Sequence, residues 1–401
     1  MRVVPLLVVL CASAVAQAKA QPWPLTPLPG DKLLTLAPSL HQADLALIES
    51  DGRGLLKQLT TVTMVAAPPS VVHALVANPK DYGKFVHNMS RSDVRQEPGG
   101  SVVHEYKLDY SLISVDGRHR YVFLPPVPGQ AEAPIDVYDP DDNGVRHYRW
   151  EFYAAPGGTL LVCYGYTQIP TDGLYGKLIH RAQTLEYGLA LIPQLTLLLA
   201  VKQQAERVAG PQQLPPAGRQ PDLGFLLDRG AVAFFRRAGN RLSEVNLVDR
   251  TRARADVLVR VAGNAGEWSR FVPTIDKSAP LGARSGLPGF EVNQSLPLMS
   301  WDTTWGISTN GNSVDMFGLD GDLQRGRMRW DVNEVHDTSG AAHTEIVLRC
   351  LENFDRSSIV IKQLYRLEPF FEYGIDVGLQ LVILRGVKQQ AEQLSPSRAA
   401  R

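Results

Sequence analysis

The chain has 401 residues with 41 basic and 41 acidic side chains, so it lacks the basic excess that a nucleic-acid surface needs to release counterions. A hydrophobic share of 44% suffices for two cores of ordinary size. Cys163 and Cys350 fall in different halves of the chain. Neither a disulfide nor a metal site is expected of them, and both read as small buried hydrophobes.

Residues 1–20 read as an export signal: Arg2, an apolar run from Val3 to Val15, then Ala16-Gln17-Ala18 or Ala18-Lys19-Ala20 as a small-x-small cleavage site. The expected location is outside the cytoplasm, in a bacterial periplasm. An uncleaved anchor is the alternative, although a span needs about 20 residues. Residues 21–39 carry Pro22, Pro24, Pro27, Pro29 and Pro38 and read as an extended, mobile lead-in.

A first domain is expected over 40–207. Strands 44–49 and 55–66 flank the turn Asp51-Gly52-Arg53-Gly54 and form a hairpin. Pro68-Pro69-Ser70 opens a short helix with Val71, Val72, Leu75 and Val76 on one face. Alternating runs at 101–110, 114–123, 145–153 and 159–166 predict an antiparallel meander with one buried face. A short helical piece near 174–182 precedes a long helix from about Thr184 to Val208, in which Pro193 removes one backbone donor and predicts a kink.

A Pro/Gly-rich linker spans 208–222, and a second domain spans 223–394 in the same order. Strands at 230–235 and 241–249 come first. A helix at Ala255–Val259 follows, weakened by Gly263 and Gly266. Alternating runs at 323–335 and 343–351, a helical piece near 358–367 and a long helix from Pro369 to about Gln393 complete it. Residues 395–401 form a polar tail.

The two domains are copies at a constant offset of 186. Glu186-Tyr187-Gly188 recurs as Glu372-Tyr373-Gly374, and Lys202-Gln203-Gln204-Ala205-Glu206 as Lys388-Gln389-Gln390-Ala391-Glu392. The same offset sets Tyr82 and Phe85 on Trp268 and Phe271. So long a period indicates two complete domains rather than a solenoid. Residues 189–201 are apolar nearly all round, so that helix is wholly buried or faces something apolar on both sides; at 13 residues the run is too short to span a bilayer.

Val65-Ala66-Ala67-Pro68-Pro69-Ser70-Val71-Val72-His73-Ala74-Leu75, Asp81-Tyr82-Gly83-Lys84-Phe85-Val86 and the helix end Val201–Glu206 resemble the START-like (SRPBCC) superfamily, which includes polyketide cyclase-like, coenzyme Q-binding-like and Bet v 1-like helix-grip proteins. The resemblance implies an α+β chain of two tandem helix-grip domains, each a curved antiparallel sheet wrapped around a long C-terminal helix, with a cavity between them. It implies binding of lipids, sterols, quinones or other apolar molecules, and catalysis in some members only.

Candidate cavity residues follow from this plan. Tyr187 and Tyr373 each offer a hydroxyl at the start of a long helix. Trp150 and Trp330 sit in Arg149-Trp150-Glu151 and Arg329-Trp330-Asp331, where strand alternation sends tryptophan inward and leaves the charges to pair outside. Trp301 and Trp305 lack tryptophan counterparts in the first copy. Leu191, Leu195, Leu198 and Leu381 are the helix contributions. Tyr82/Phe85 and Trp268/Phe271 either rim a cavity or close the core. Lys202/Glu206 and Lys388/Glu392 read as solvated helix ends.

No catalytic motif, phosphate loop or metal-ligand spacing is present, so no catalytic residue, cofactor or metal is expected. His104 and His119, on strands with no equivalent in the other copy, read as structural. The expected function is an exported binding or transport protein for an apolar ligand of the lipid, sterol or isoprenoid class, with transient membrane contact as a partner interaction. The alternatives are a polyketide cyclase or dehydratase, and an assembly module without a ligand.

Overall fold

The computed structural model describes residues 23–395 apart from 99, 111–112, 141–145, 170–175, 178–179, 211, 213, 216–220, 239–240, 297–298, 337–339, 341 and 352–368. The signal-like segment, the tail beyond 395 and the helical piece near 358–367 lie outside the described residues.

Among the described residues each half contributes eight strands, and the two sets repeat one another in order. The first comprises β1 (Asp44–Ser50), β2 (Leu56–Val65), β3 (Met89–Gln96), β4 (Val102–Tyr110), β5 (Ile113–Phe123), β6 (Ile135–Tyr138), β7 (Arg146–Ala155) and β8 (Gly158–Thr167). The second comprises β9 (Ala231–Ala238), β10 (Arg241–Thr251), β11 (Ile275–Arg284), β12 (Leu287–Leu296), β13 (Met299–Asn310), β14 (Ser313–Gly321), β15 (Arg327–His336) and β16 (Ala342–Leu351). All pair antiparallel in one continuous sheet, ordered β11-β12-β13-β14-β15-β16-β10-β9-β1-β2-β8-β7-β6-β5-β4-β3.

Among the described residues the helices with defined bounds are α1 (Gly30–Leu34), α2 (Pro69–Ala77), α3 (Leu185–Ala209), α4 (Gly224–Leu227), α5 (Ala255–Gly263) and α6 (Pro369–Leu394). Helix α5 ends at Gly263, so the glycine that weakens the sequence signal serves as a terminus rather than an interruption. Pro193 stands inside α3, which runs through it. Helix α3 packs on β2, β8 and α2, and α6 packs on β10 and α5. At 25 residues, α3 is longer than its apolar run and passes the length and hydropathy test for a membrane span, with 78% of that stretch buried in the fold.

The halves meet across a local twofold. Strand β1 pairs β9 with Leu45 opposite Phe234, Ala46 opposite Ala233, Leu47 opposite Val232 and Ile48 opposite Ala231. Under the offset of 186, each residue on one side faces the counterpart of a different residue on the other, so the two strands exchange roles about a point between Ala46 and Leu47. The same relation holds for the long helices, which approach at Gly188 and its counterpart Gly374.

The central strands β2 and β8 are buried on both faces, so of the runs expected to bury one face, 159–166 buries two, whereas β15 and β16 alternate as expected. Leu59 and Val65 of β2, and Leu161 and Cys163 of β8, join the core with α3. Their alternates Val62, Met64, Leu160, Val162 and Tyr164 join a second core on the opposite face. That face is covered by the lead-in, which is docked rather than mobile: Leu28, Leu33, Leu36 and Leu40 pack there with Leu226 and Leu227. Burying leucines of this kind is worth about 1.5–3 kcal/mol each, enough to hold a short proline-rich segment down. Trp23 stacks on Tyr166 at 3.8 Å, donates to the Lys57 carbonyl at 3.1 Å and accepts from His147 Nδ1 at 2.7 Å. Replacing Trp23 by alanine is expected to lower stability by about 1–2 kcal/mol, measured by urea denaturation; an unchanged midpoint would mean that the lead-in is not docked.

The repeated helix ends are also anchored rather than solvated. Lys202 is buried, donates to the Met64 carbonyl and pairs with Glu206 at 3.1 Å, and Glu206 accepts from Ala66 N at 3.1 Å. In the second half Lys388 pairs with Asp249 at 2.8 Å, and Glu392 accepts from Thr251 Oγ1 at 2.6 Å. The shared Lys-Gln-Gln-Ala-Glu run therefore ties each long helix to the second strand of its half.

Candidate functional site

Sheet and long helix enclose a cavity at the same place in both halves, and side chains fill the two differently. In the first half, alternation along β4 turns His104, Tyr106 and Leu108 inward. Strand β5 adds His119 and Tyr121, β7 adds Tyr148 and Trp150, and β8 adds Cys163. Tyr82, Val86 and Met89 close one side, and Pro193, Gln194, Thr196 and Leu197 of α3 close the other. The volume is about 70 Å3, room for on the order of five waters.

Each polar group in this wall has a defined setting. Tyr82 donates to the Val76 carbonyl at 2.9 Å. Tyr106 lies over Gly117, its cross-strand partner, where a Cβ would stand 2.4 Å from the tyrosine ring, so only glycine admits this rotamer. Its hydroxyl is 3.5 Å from His119 Nε2. Tyr148 and Thr167 share a hydrogen bond between hydroxyls. Gln194 donates to the Cys163 carbonyl at 2.7 Å and to Thr61 Oγ1 at 3.1 Å, reaching the sheet through space that a side chain at Gly165 would occupy. Ser92 Oγ donates to the Pro79 carbonyl at 2.6 Å and lies 2.8 Å from His104 Nε2.

Burial pushes His104 down to about 4. Burial, then the neighbouring His104, pushes His119 down to about 3. Burial raises the hydroxyls of Tyr82, Tyr121 and Tyr148. These histidines and tyrosines are therefore uncharged at neutral pH, which leaves hydrogen bonding and apolar contact as the means of recognition.

In the second half the offset sets Trp268 for Tyr82, Val292 for Tyr106, Trp305 for His119, Ile307 for Tyr121, Ile275 for Met89 and Gln380 for Gln194. The tyrosines and histidines are replaced by tryptophan and aliphatic side chains, Gln294, Arg327 and Gln380 supply the polar atoms instead, Trp268 meets Trp330 edge-on at 6.4 Å, and the volume falls to about 20 Å3. That holds about one water.

The residues singled out from sequence distribute unevenly. Trp150 borders the first cavity and Trp305 the second. Trp330, Trp301, Leu191, Leu195, Leu198 and Leu381 are buried in the core and line neither cavity, although Trp330 packs on the lining residue Trp268. Tyr187 stands at the junction of the halves: Arg385 of α6 stacks on its ring at 4.3 Å and donates to its hydroxyl at 2.6 Å, and that hydroxyl donates to the Gly54 carbonyl. Tyr373 packs on Phe235. Arg149 pairs outside with Asp136 at 2.7 Å, whereas Glu151 is buried and accepts from Tyr153 at 2.7 Å, beneath the lead-in. His104, His119, Tyr106, Tyr121 and Gln194 were not among the sequence candidates. Cys163 and Cys350 are buried and not joined in a disulfide, and among the described residues no cluster of metal-ligating side chains occurs.

No family model matches the chain, and no curated protein matches it. Among solved structures it is similar to a di-domain ARO/CYC from the steffimycin biosynthetic pathway, at 14% identity over 84% of this chain and 98% of that one, with a TM-score of 0.29. It is similar to a START superfamily protein from Mycobacterium smegmatis, at 13% identity over 38% of this chain and 99% of that one, TM-score 0.28. A STAR-related lipid transfer protein from Xanthomonas axonopodis matches at 14% identity over 41% of this chain and 94% of that one, TM-score 0.31.

Proposed function

We propose that the protein is an exported binding protein for an apolar small molecule that carries a hydrogen-bonding group. The first half holds the ligand between sheet and long helix, and the second half serves as a packed scaffold. The observation that supports this is the contrast between equivalent cavities: tyrosines, histidines and Gln194 over apolar walls in the larger one, and tryptophans with Gln294, Arg327 and Gln380 around the smaller one. An apolar chamber with a few convergent polar groups is the usual form of a small-molecule site.

The inner cavity alone is below the 300–1,000 Å3 typical of such sites. Beside it lies an outer groove of about 600 Å3 between the Gly83–Ser90 segment, Asp109 and the α3 residues Ala200 and Gln203. Val86 and Met89 border both spaces. Displacing the flexible Met89 side chain joins them into a chamber of ligand size, and the body of a lipid, sterol or isoprenoid then gains about 0.8 kcal/mol for each methylene it buries.

Native mass spectrometry of protein from its own host is expected to find one apolar molecule per chain. His119→Trp, which copies Trp305 of the second half, is expected to lose it. No bound molecule together with no uptake of labelled lipid, or occupancy unchanged in His119→Trp, would overturn the reading. Fractionation of host cells tests export.

A catalytic reading, a cyclase or dehydratase, draws on the convergence of His104 and His119 in one cavity. A general base works best with a pKa near the operating pH, and burial holds both imidazoles several units lower. Binding is the better supported of the two.

A further inference from the structure

We propose that His104 Nδ1 is the atom that selects the ligand, accepting a hydrogen bond from a hydroxyl or other donor on the bound molecule. This rests on the reading that the first half binds a small molecule, and it specifies which apolar molecules qualify.

Ser92 has one hydroxyl hydrogen, and it is directed to the Pro79 carbonyl at 2.6 Å. The 2.8 Å contact between Ser92 Oγ and His104 Nε2 can then be a hydrogen bond only if Nε2 is the donor. The imidazole is neutral in its buried setting, so it carries a single ring hydrogen, on Nε2. Its Nδ1 is left as a bare lone pair. That atom is buried and has no hydrogen-bond partner among the described residues, while the residue is 1% exposed and its ring borders the cavity.

A buried acceptor without a partner is destabilising. A ligand that supplies a donor recovers that energy, and a ligand that supplies only an acceptor leaves Nδ1 facing a second lone pair. Ser92 is thus a positioning residue: it fixes which nitrogen faces the ligand without touching the ligand itself. The second half has no equivalent, because the residue at the corresponding offset is Phe290.

The test uses the full chain labelled with 15N-histidine and two probes of nearly equal shape, 1-naphthol and 1-methoxynaphthalene. The free protein is expected to show His104 as the Nε2–H tautomer. 1-Naphthol is expected to shift the Nδ1 resonance toward its hydrogen-bonded position and to bind about ten-fold tighter than the methyl ether. Ser92→Ala, which releases His104 to take either tautomer, is expected to shrink that preference to less than about three-fold, and His104→Phe to abolish it while the ether still binds. Equal affinity of the two probes, an Nδ1–H tautomer, or a preference untouched by Ser92→Ala would each overturn the inference while leaving the binding reading in place. If neither probe perturbs the cavity residues, the binding reading falls and the inference with it.

Discussion

Lowering the pH from 7.5 to 5.5 is expected to reduce the stability of the folded chain by roughly 3 kcal/mol through His104 and His119 alone. Both have an ordinary value of 6.5, depressed on folding to about 4 and about 3 by burial. Below pH 6.5 the unfolded chain takes up protons at these two sites and the folded chain does not, so acid favours unfolding. The full stability is present above pH 6.5 and is lost as the pH falls toward the folded values. Each group contributes up to about 1.4 kcal/mol per pH unit in that window. Burial raises the carboxyls of Glu151 and Glu186, which works in the opposite direction, and paired carboxylates such as Asp136 are lowered and respond at lower pH. The informative quantity is therefore the difference between the parent chain and the double variant His104→Phe/His119→Phe, measured by urea denaturation at pH 7.5, 6.5 and 5.5. The variant is expected to lose the steep part of the dependence. Parallel profiles would mean that the imidazoles are hydrated and charged in the folded state, and the neutral cavity would have to be abandoned.

That these histidines share a wall was legible in part. His104, Tyr106 and Leu108 stand two apart, as do His119 and Tyr121 and Tyr148 and Trp150, the spacing that places side chains on one face of a strand. Weighed singly, each histidine looked structural; grouped by strand face, they mark the cavity. The helix side was less accessible. Leu191, Leu195 and Leu198 form one stripe of α3, and Pro193, Gln194 and Leu197 the neighbouring one. A helix that is apolar all round gives no amphipathic signal to choose between them, so the rotation of α3 emerges only from its packing. The boundaries of α3 and α6, by contrast, fall within about two residues of those read from sequence.

The lead-in misled for a different reason. Its prolines match the composition of a mobile linker, and they outweighed Leu28, Leu33, Leu36 and Leu40, whose burial depends on a sheet face that no local pattern announces. The joint between the halves was hidden in the same way. Strand β1 reads as an apolar run whether its free edge meets solvent or β9, and only the fold supplies the partner. Once the edges pair, neither half presents that edge for association with another chain. Duplication thus permits specialisation: the second half keeps the sheet and helix that complete the joint while tryptophans occupy its cavity.

The joint itself predicts the largest single-site effect. Gly188→Leu is expected to lower stability by about 4 kcal/mol or more. A Cβ on Gly188 would stand 2.0 Å from the Gly374 carbonyl oxygen and 3.0 Å from Gly378 Cα, and backbone atoms cannot rotate aside as a side chain can. Replacing glycine in a helix by a residue with a side chain usually gains roughly 0.5–1 kcal/mol, so the expected sign is reversed here. Gly378 supplies the control on the facing helix. Its Cβ would meet the flexible end of Leu185 at 3.4 Å, an ordinary contact, and Gly378→Ala is expected to be neutral or to gain up to about 1 kcal/mol. Urea denaturation of the two variants checks the contrast. Equal stability of Gly188→Leu and the parent would mean that α3 and α6 do not meet at these glycines. Because β1–β9 pairing lies on the same local axis, a wedge between the helices also strains the strands. Faster amide exchange at Ala46 and Ala233, as well as along both helices, is the expected signature of a joint that holds or opens as one unit.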